Sequence, residues 1–369
     1  MKSKFVKNIE WSILICCLVL LIIGMVALYS ATQDNGNAEL KKQIVWAAVS
    51  IPIMIVVMII DYNKIAKISP IIYAIFMIAL IAVLFTEPIN GAKSWFQINE
   101  WATFQPSEFA KIAFIVFFAY IMVKLQNGDK REINRFWKLL ITVLILAVPT
   151  TLIVLQPDYG TLMAFVISYI FMMFAGGVDK KLIIAAMIIV IVAIPLAYFF
   201  VLPDHARTRI DVFLNPDLDP RGSGYNVIQS KLAIGSGRLL GMGLLKGNQT
   251  QLGYLYPKTT DFIFSVIGEE MGFIIAALVI ILYVVLITKS IYVAKTAKDD
   301  FGSYIAMGIC GIFVFHMLEN IGMTMGLLPI TGVPLPFVSY GGSSLVTNFI
   351  CIGLLLNISG RRQKAIFMD

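Results

Sequence analysis

Between residues 11 and 358 the chain is a succession of apolar runs, most of them close to twenty residues long, joined mainly by short polar connections. An α-helix needs roughly 20 mainly apolar residues to cross about 30 Å of hydrocarbon, so lipid is the solvent for most of this sequence. Composition agrees. The 369 residues are 59% hydrophobic and 14% charged, with a mean hydropathy of +0.85, whereas a soluble domain carries about a quarter charged residues. The fold class that follows is all-α, a polytopic integral membrane protein.

The runs read as spans near 11–30, 43–60, 69–86, 106–125, 139–156, 159–176, 182–202, 262–288, 303–328 and 336–358. About ten transmembrane helices put both termini on one side. Lys and Arg decide which side. The N-terminus (Lys2, Lys4, Lys7), the connections holding Lys64 and Lys67, Lys124 to Lys138, Lys180 and Lys181, Lys289 to Lys298, and the tail (Arg361, Arg362, Lys364) all fall together. The positive-inside rule makes that side cytoplasmic. One long extracytoplasmic segment, about 203–261, carries Arg207, Arg209, Arg221, Lys231, Arg238, Lys246 and Lys258. Long loops are exempt from the charge rule. Within it, Asn226 to Ile234 reads as a short amphipathic helix at the interface.

The net charge of +7 does not point to nucleic acid, because the basic residues come in small groups between apolar runs. Cys16, Cys17, Cys310 and Cys351 all lie inside apolar runs without metal-type spacing, which argues against disulfides and zinc. The first run faintly echoes a secretory signal, but at about 19 residues it exceeds an h-region and reads as a retained helix.

A charge at the bilayer centre costs several kcal/mol, so ionisable residues inside spans are functional candidates. Glu108 and Lys111, three apart after Gln105-Pro106-Ser107, share one helix face and can neutralise each other. They are either a structural ion pair or the lining of a polar cavity. Gln156-Pro157-Asp158-Tyr159-Gly160-Thr161 breaks an apolar stretch, and a plain turn would not need Asp158, which makes it a site or cavity candidate. Asp261 lies where the long outer loop enters the eighth span, with Thr259 or Thr260 placed to cap the helix. The helix dipole there would hold its pKa low, suiting either a base or a cation ligand, and a capping role is equally compatible. Glu269 and Glu270 cannot both face lipid, and one of them should meet a basic or backbone partner. His316, Glu319 and Asn320 form a polar face on the ninth span, the lone His reading as a satisfied structural residue. The Gly-, Pro- and Ser-rich stretch from Gly332 to Ser343 and Ser344 reads as cavity wall.

Five blocks in order, Gly91-Ala92-Lys93-Ser94-Trp95, Gln105 to Glu108, Gln156 to Thr161, Thr260 to Glu270 and Pro336 to Ser344, resemble the SEDS family (shape, elongation, division, sporulation). The resemblance covers nearly the whole chain as a single transmembrane domain over 1–369. Gly247 to Gln251 and Ile330 to Phe337 look more like its rod-elongation branch than its division branch. Met242 replaces a common Lys, and Lys258-Thr259 stands where Glu and a polar residue are common. The resemblance implies a peptidoglycan glycosyltransferase acting on lipid II at the outer face of the bacterial cytoplasmic membrane, for cell elongation and shape. It implies a class B penicillin-binding protein (a transpeptidase) as partner. The family's essential aspartate falls on Asp261, its outer-loop tryptophan on Trp95 and its buried Glu/Lys pair on Glu108 and Lys111.

On this reading Asp261 is a general base for the acceptor sugar's 4-hydroxyl, with inversion at the donor. Arg207, Arg209, Lys111 and Lys258 are the candidates to meet the leaving pyrophosphate. A divalent cation, magnesium or manganese, is the alternative role for Asp261. A lipid II flippase is the competing function, disfavoured because the motifs gather at the outer face. A pure scaffold would leave the ionisable residues unexplained.

Overall fold

The computed structural model of the chain describes residues 2–88, 92–99, 103–182, 184–185, 188, 192, 198–200, 204–220 and 222–362. Helix α1 (Lys2–Asn8) leads into α2 (Trp11–Ala31), α3 (Ala38–Ile59) and α4 (Tyr62–Ala82). A two-stranded antiparallel hairpin, β1 (Phe96–Gln97) and β2 (Thr103–Phe104), precedes α5 (Pro106–Gln126), α6 (Phe136–Val154) and α7 (Tyr159–Ala175). The outer segment folds into α8 (Asp204–Leu214), α9 (Ser223–Ser236) and the single turn α10 (Asn248–Gln251). Three long helices close the chain, α11 (Ile263–Thr296), α12 (Asp300–Thr324) and α13 (Gly342–Gly360).

Nine of the described helices have 17 or more residues, and seven are long and apolar enough to cross a membrane on those grounds alone. The span expected at 182–202 lies largely outside the described residues. Helices α12 and α13 form the axis of the bundle, 72% and 83% buried, while α3, α4 and α6 at 22% each present broad faces to lipid. Hydrophobic burial between helices cannot drive this arrangement in a bilayer, where packing and buried polar contacts take over.

The two ends of the bundle are distinct. At one end Glu10 pairs with Lys289 (2.9 Å) and Arg362 (3.2 Å), Asn8 Nδ2 donates to the Arg362 carbonyl, and Tyr62 donates to Asp299. The described parts of the N- and C-terminal regions therefore meet at the same end, the end the basic connections mark as cytoplasmic. At the other, Gln251 Nε2 donates to Ser30 Oγ (2.8 Å) and Lys258 pairs with Asp34 (2.5 Å), tying the long outer segment to the first outer turn.

Several boundaries differ from the sequence expectation. The last span begins at Gly342 rather than 336, because Pro334 and Pro336 deny donors to a helix and residues 333–341 instead pack irregularly as largely buried chain. Helix α9 exceeds the expected 226–234, and it does not merely rest on the membrane. Val227, Ser230 and Ala233 are buried, with the Ser230 hydroxyl bonded to Ser265 Oγ (2.7 Å) and to the Thr324 carbonyl (2.6 Å).

The largest departure is α11. It breaks at Gly272 (φ 77°, ψ −175°), leaving a buried piece over 263–271 and a long one over 273–296. An L side chain rarely adopts that φ. The backbone groups freed by the break pair with the preceding loop: Phe273 N donates to Arg238 O (2.9 Å), Met242 N to Glu269 O (2.9 Å) and Gly243 N to Glu270 O (3.0 Å). Such pairing is what permits non-helical backbone at this depth. A Cβ at Gly272 would lie 2.2 Å from Gly241 N, whereas one at the exposed Gly235 would meet nothing within 4 Å. Gly272→Ala should therefore cost roughly 2–4 kcal/mol, and Gly235→Ala should be neutral or stabilising by about 0.5–1 kcal/mol. Thermal unfolding of the two variants in detergent distinguishes them.

Candidate active site

Asp261 is the penultimate residue before α11 begins, and three long-range bonds fix the backbone over 259–261. Asn320 Nδ2 from α12 donates to the Asp261 carbonyl (3.0 Å), the Ser339 hydroxyl to the Thr260 carbonyl (2.6 Å) and Tyr340 N to the Thr259 carbonyl (2.9 Å). The same Asn320 amide donates to Val333 O (2.8 Å), so one side chain joins the Asp261 turn to the loop before α13. Beside the half-buried carboxyl lies Gly332, where a Cβ would stand 3.5 Å from Oδ2.

The electrostatics differ from expectation. Burial raises the Asp261 pKa above its ordinary value, opposed by a bond from Thr260 and by the nearby Arg209 charge. The helix dipole does not win, because Asp261 sits outside the helix and Phe262 occupies the N-cap. Neither Thr259 nor Thr260 caps α11, since Phe262 makes no side-chain cap. Arg209 anchors to Ile330 O (3.4 Å), beside Thr331 and Gly332.

The second cluster gathers three of the sequence blocks. Lys111 Nζ lies 2.8 Å from Glu108 Oε1 and 3.1 Å from His316 Nε2, all three residues buried. Thr347 Oγ1 donates to Glu108 Oε2 (3.1 Å), and His316 Nδ1 is 2.9 Å from Pro334 O. With an ammonium donating to Nε2, the tautomer protonated at Nδ1 donates to Pro334. The expected neutralising pair is present, but His316 extends it to the loop beside Asp261. Asn320, one turn on, repeats the connection.

Asp158 has a local explanation the sequence reading missed. It caps α7, accepting from Thr161 N (3.1 Å) and Thr161 Oγ1 (2.8 Å). Burial raises its pKa while those two bonds oppose the rise. Gln105 makes it part of the cluster, its Nε2 donating to Asp158 Oδ2 (3.3 Å) and its backbone N to Ser343 Oγ (3.1 Å). Ser343 also donates to Thr103 O (3.4 Å), anchoring the hairpin that carries the half-buried Trp95. Ser344 is buried, accepting from Asn348 Nδ2 (3.2 Å).

Two candidates are engaged elsewhere. Lys258 Nζ is held by Asp34 and the Thr250 carbonyl (3.0 Å), and Arg207 donates to Phe199 O (3.3 Å). Glu269 and Glu270 both meet the loop over 245–251. Glu269 accepts from Gln249 N (2.8 Å), Thr250 N (3.0 Å) and Thr250 Oγ1 (2.7 Å). Glu270 accepts from Leu245 N (3.2 Å), Gly247 N (3.3 Å) and Gln251 Nε2 (2.8 Å). Thus two carboxylates, not one, take backbone partners.

No group of three or more His, Cys, Asp or Glu suited to a metal occurs among the described residues. Asp261 brings one carboxylate with a guanidinium nearby, a donor set that does not fit a divalent ion held by protein ligands alone.

Comparison with known proteins gives one consistent result. Residues 10–364 match the family described as cell cycle protein, FtsW/RodA/SpoVE. The chain is 32% identical to the peptidoglycan glycosyltransferase RodA of Treponema pallidum over 438 aligned positions, covering 98% of this chain and 100% of that one. It is 36% identical to the peptidoglycan glycosyltransferase MrdB of Escherichia coli over 364, covering 96% and 95%. In three dimensions it is similar to a chain from a peptidoglycan synthase complex that coordinates polymerization and crosslinking (TM-score 0.81, 26% identity, 95% and 97% covered). The rod shape determining protein RodA of Thermus thermophilus shares the fold (TM-score 0.72, 24% identity, 96% and 98% covered).

The buried cluster makes a stability prediction. Lys111→Met leaves the Glu108 carboxylate buried without its cation and should cost about 3–5 kcal/mol, while Glu108→Gln/Lys111→Met should recover much of that loss. Thermal unfolding in detergent tests the pair, and a double variant no better than Lys111→Met would refute the coupling.

Proposed function

We infer the activity of this protein from one premise, that the chain belongs to the FtsW/RodA/SpoVE family of cell cycle proteins. It is a peptidoglycan glycosyltransferase and a multi-pass protein of the bacterial cytoplasmic membrane. The glycosyltransferase names of its relatives favour polymerisation over lipid transport.

The substrate we propose is lipid II, a disaccharide on undecaprenyl pyrophosphate, with the lipid beside the bundle and the sugar at its outer end. Asp261 is the base. Its carboxylate takes the proton of the acceptor's 4-hydroxyl as that oxygen attacks the anomeric carbon of the donor. The bond from that carbon to the pyrophosphate oxygen breaks, the configuration inverts, and the pyrophosphate leaves with the bonding electrons. Arg209 is the cation best placed for the growing charge, because Lys111 is held by Glu108 and His316 and Lys258 by Asp34.

One observation carries this assignment: the backbone at Thr260 and Asp261 is clamped from α12 and from the loop before α13, while the Asp261 carboxyl is bonded to the adjacent Thr260 hydroxyl and has a nearby guanidinium rather than a direct ion pair. That arrangement holds the group still and leaves an oxygen available. Burial supports the role, since a raised pKa makes the carboxylate a stronger base. The partner we propose is a class B penicillin-binding protein, which would cross-link the strands as they form. The structural relative from a synthase coordinating polymerization and crosslinking supports that pairing.

Purified Asp261→Asn protein, given fluorescent lipid II alone and with its partner, should form glycan strands about 10²–10⁴-fold more slowly than the parent, with an unchanged circular dichroism spectrum. Polymerisation at the parental rate would remove Asp261 from the reaction.

The pH dependence has a defined sign. A base works when unprotonated, so activity falls as pH drops through the Asp261 pKa, above the ordinary aspartate value. Arg209 lowers that pKa, so Arg209→Ala should move the acid limb of the pH–rate profile to higher pH. An unmoved or acid-shifted limb contradicts the assignment.

A further inference from the structure

A cavity lies at the opposite end of the bundle from Asp261. It occupies about 540 Å³ between the ends of α7 and α11 and the start of α12, within the size range of pockets that hold small molecules. Its lining is divided by chemistry. Phe174, Ile291, Ala294 and Met307 make an apolar wall, and Phe174 is 58% exposed. Lys130, Lys295, Lys298, Asp299 and Asp300 make the polar part.

The charges do not cancel. Asp300 is paired with Lys130 (2.8 Å), and Asp299 is occupied by Tyr62 Oη (2.9 Å), Asn63 Nδ2 (3.4 Å) and Gly302 N (2.8 Å). Lys295 and Lys298 are exposed and form no ion pair among the described residues. Three lysines against two aspartates leave one positive charge, the complement of a single phosphodiester. The first turn of α12 adds the Ser303 side chain and the positive end of a 25-residue helix.

A soluble anion has no use for the apolar wall, and a neutral lipid has none for the unpaired lysines. We propose that this cleft binds an anionic glycerophospholipid of the cytoplasmic leaflet. Its phosphodiester lies against Lys295 and Lys298, and an acyl chain lies along Phe174, Ile291 and Met307. Basic pockets between transmembrane helices on the cytoplasmic side suit such headgroups. The site is independent of the glycosyltransferase assignment.

Native mass spectrometry of the purified full chain tests this, with phosphatidylglycerol, phosphatidylcholine or glycerol 3-phosphate added at equal concentration. Phosphatidylglycerol adducts should exceed phosphatidylcholine adducts. Lys295→Gln/Lys298→Gln should lose them by about fivefold for each lysine removed. Lys64→Gln/Lys67→Gln removes the same charge from another connection on this face and should retain them. Equal adducts of the two lipids on the parent protein, or equal losses in the two variants, would overturn the proposal. Glycerol 3-phosphate binding as well as phosphatidylglycerol would also overturn it, assigning the cleft to a soluble phosphate. The comparison on the parent protein stands even if a variant folds poorly.

Discussion

Glu269 and Glu270 are two buried carboxyl groups side by side, and the outer half of the protein is arranged around them. An ionised carboxylate in such a place is tolerated only when its oxygens are satisfied by donors. Here six donors supply that need, all from residues 245–251. The loop cannot lift away without leaving those buried oxygens unpaired, so a segment that looks like an extracellular excursion is part of the folded core. The break at Gly272 belongs to the same constraint. It stops the helix just after the carboxylates and lets Arg238 to Gly243 pair with the exposed backbone.

With that half of the molecule fixed, the site is set by backbone clamps rather than by side-chain ion pairs. Asn320 and Ser339 hold the chain on either side of Asp261. His316 ties the buried Glu108–Lys111 pair to Pro334, two residues from Gly332. Gln105 links the start of α5 to Asp158 before α7 and Ser343 in the first turn of α13. Blocks far apart in sequence thus converge on one end of the bundle, and polar side chains in the membrane serve as connections between helices.

Much of this was legible in the residues. Spans such as 11–31, 106–126 and 159–175 end within a residue or two of where hydropathy alone put them, because the apolar runs there stop where the helices stop. The Glu108–Lys111 pair was legible because helix geometry makes i, i+3 neighbours a local fact. What escaped depended on partners distant in sequence. Nothing around Lys258 points to Asp34, and nothing around Glu269 points to a backbone twenty residues upstream. Gly272 is one glycine in an apolar stretch, a pattern shared with unbroken helices. The reach of α11 to Thr296 was hidden because its last turns are polar. The dipole argument for Asp261 failed because it assumed the residue was inside the capped turn, where burial could not dominate.

The helix that Asp158 caps has 17 residues, a length of about 25 Å, several ångströms less than ordinary hydrocarbon thickness. Lipids beside it must compress to match it, or polar groups at its ends would enter the acyl region. Thinning of the bilayer along this side of the bundle is one way to meet that mismatch, and the reach of flanking polar groups is another.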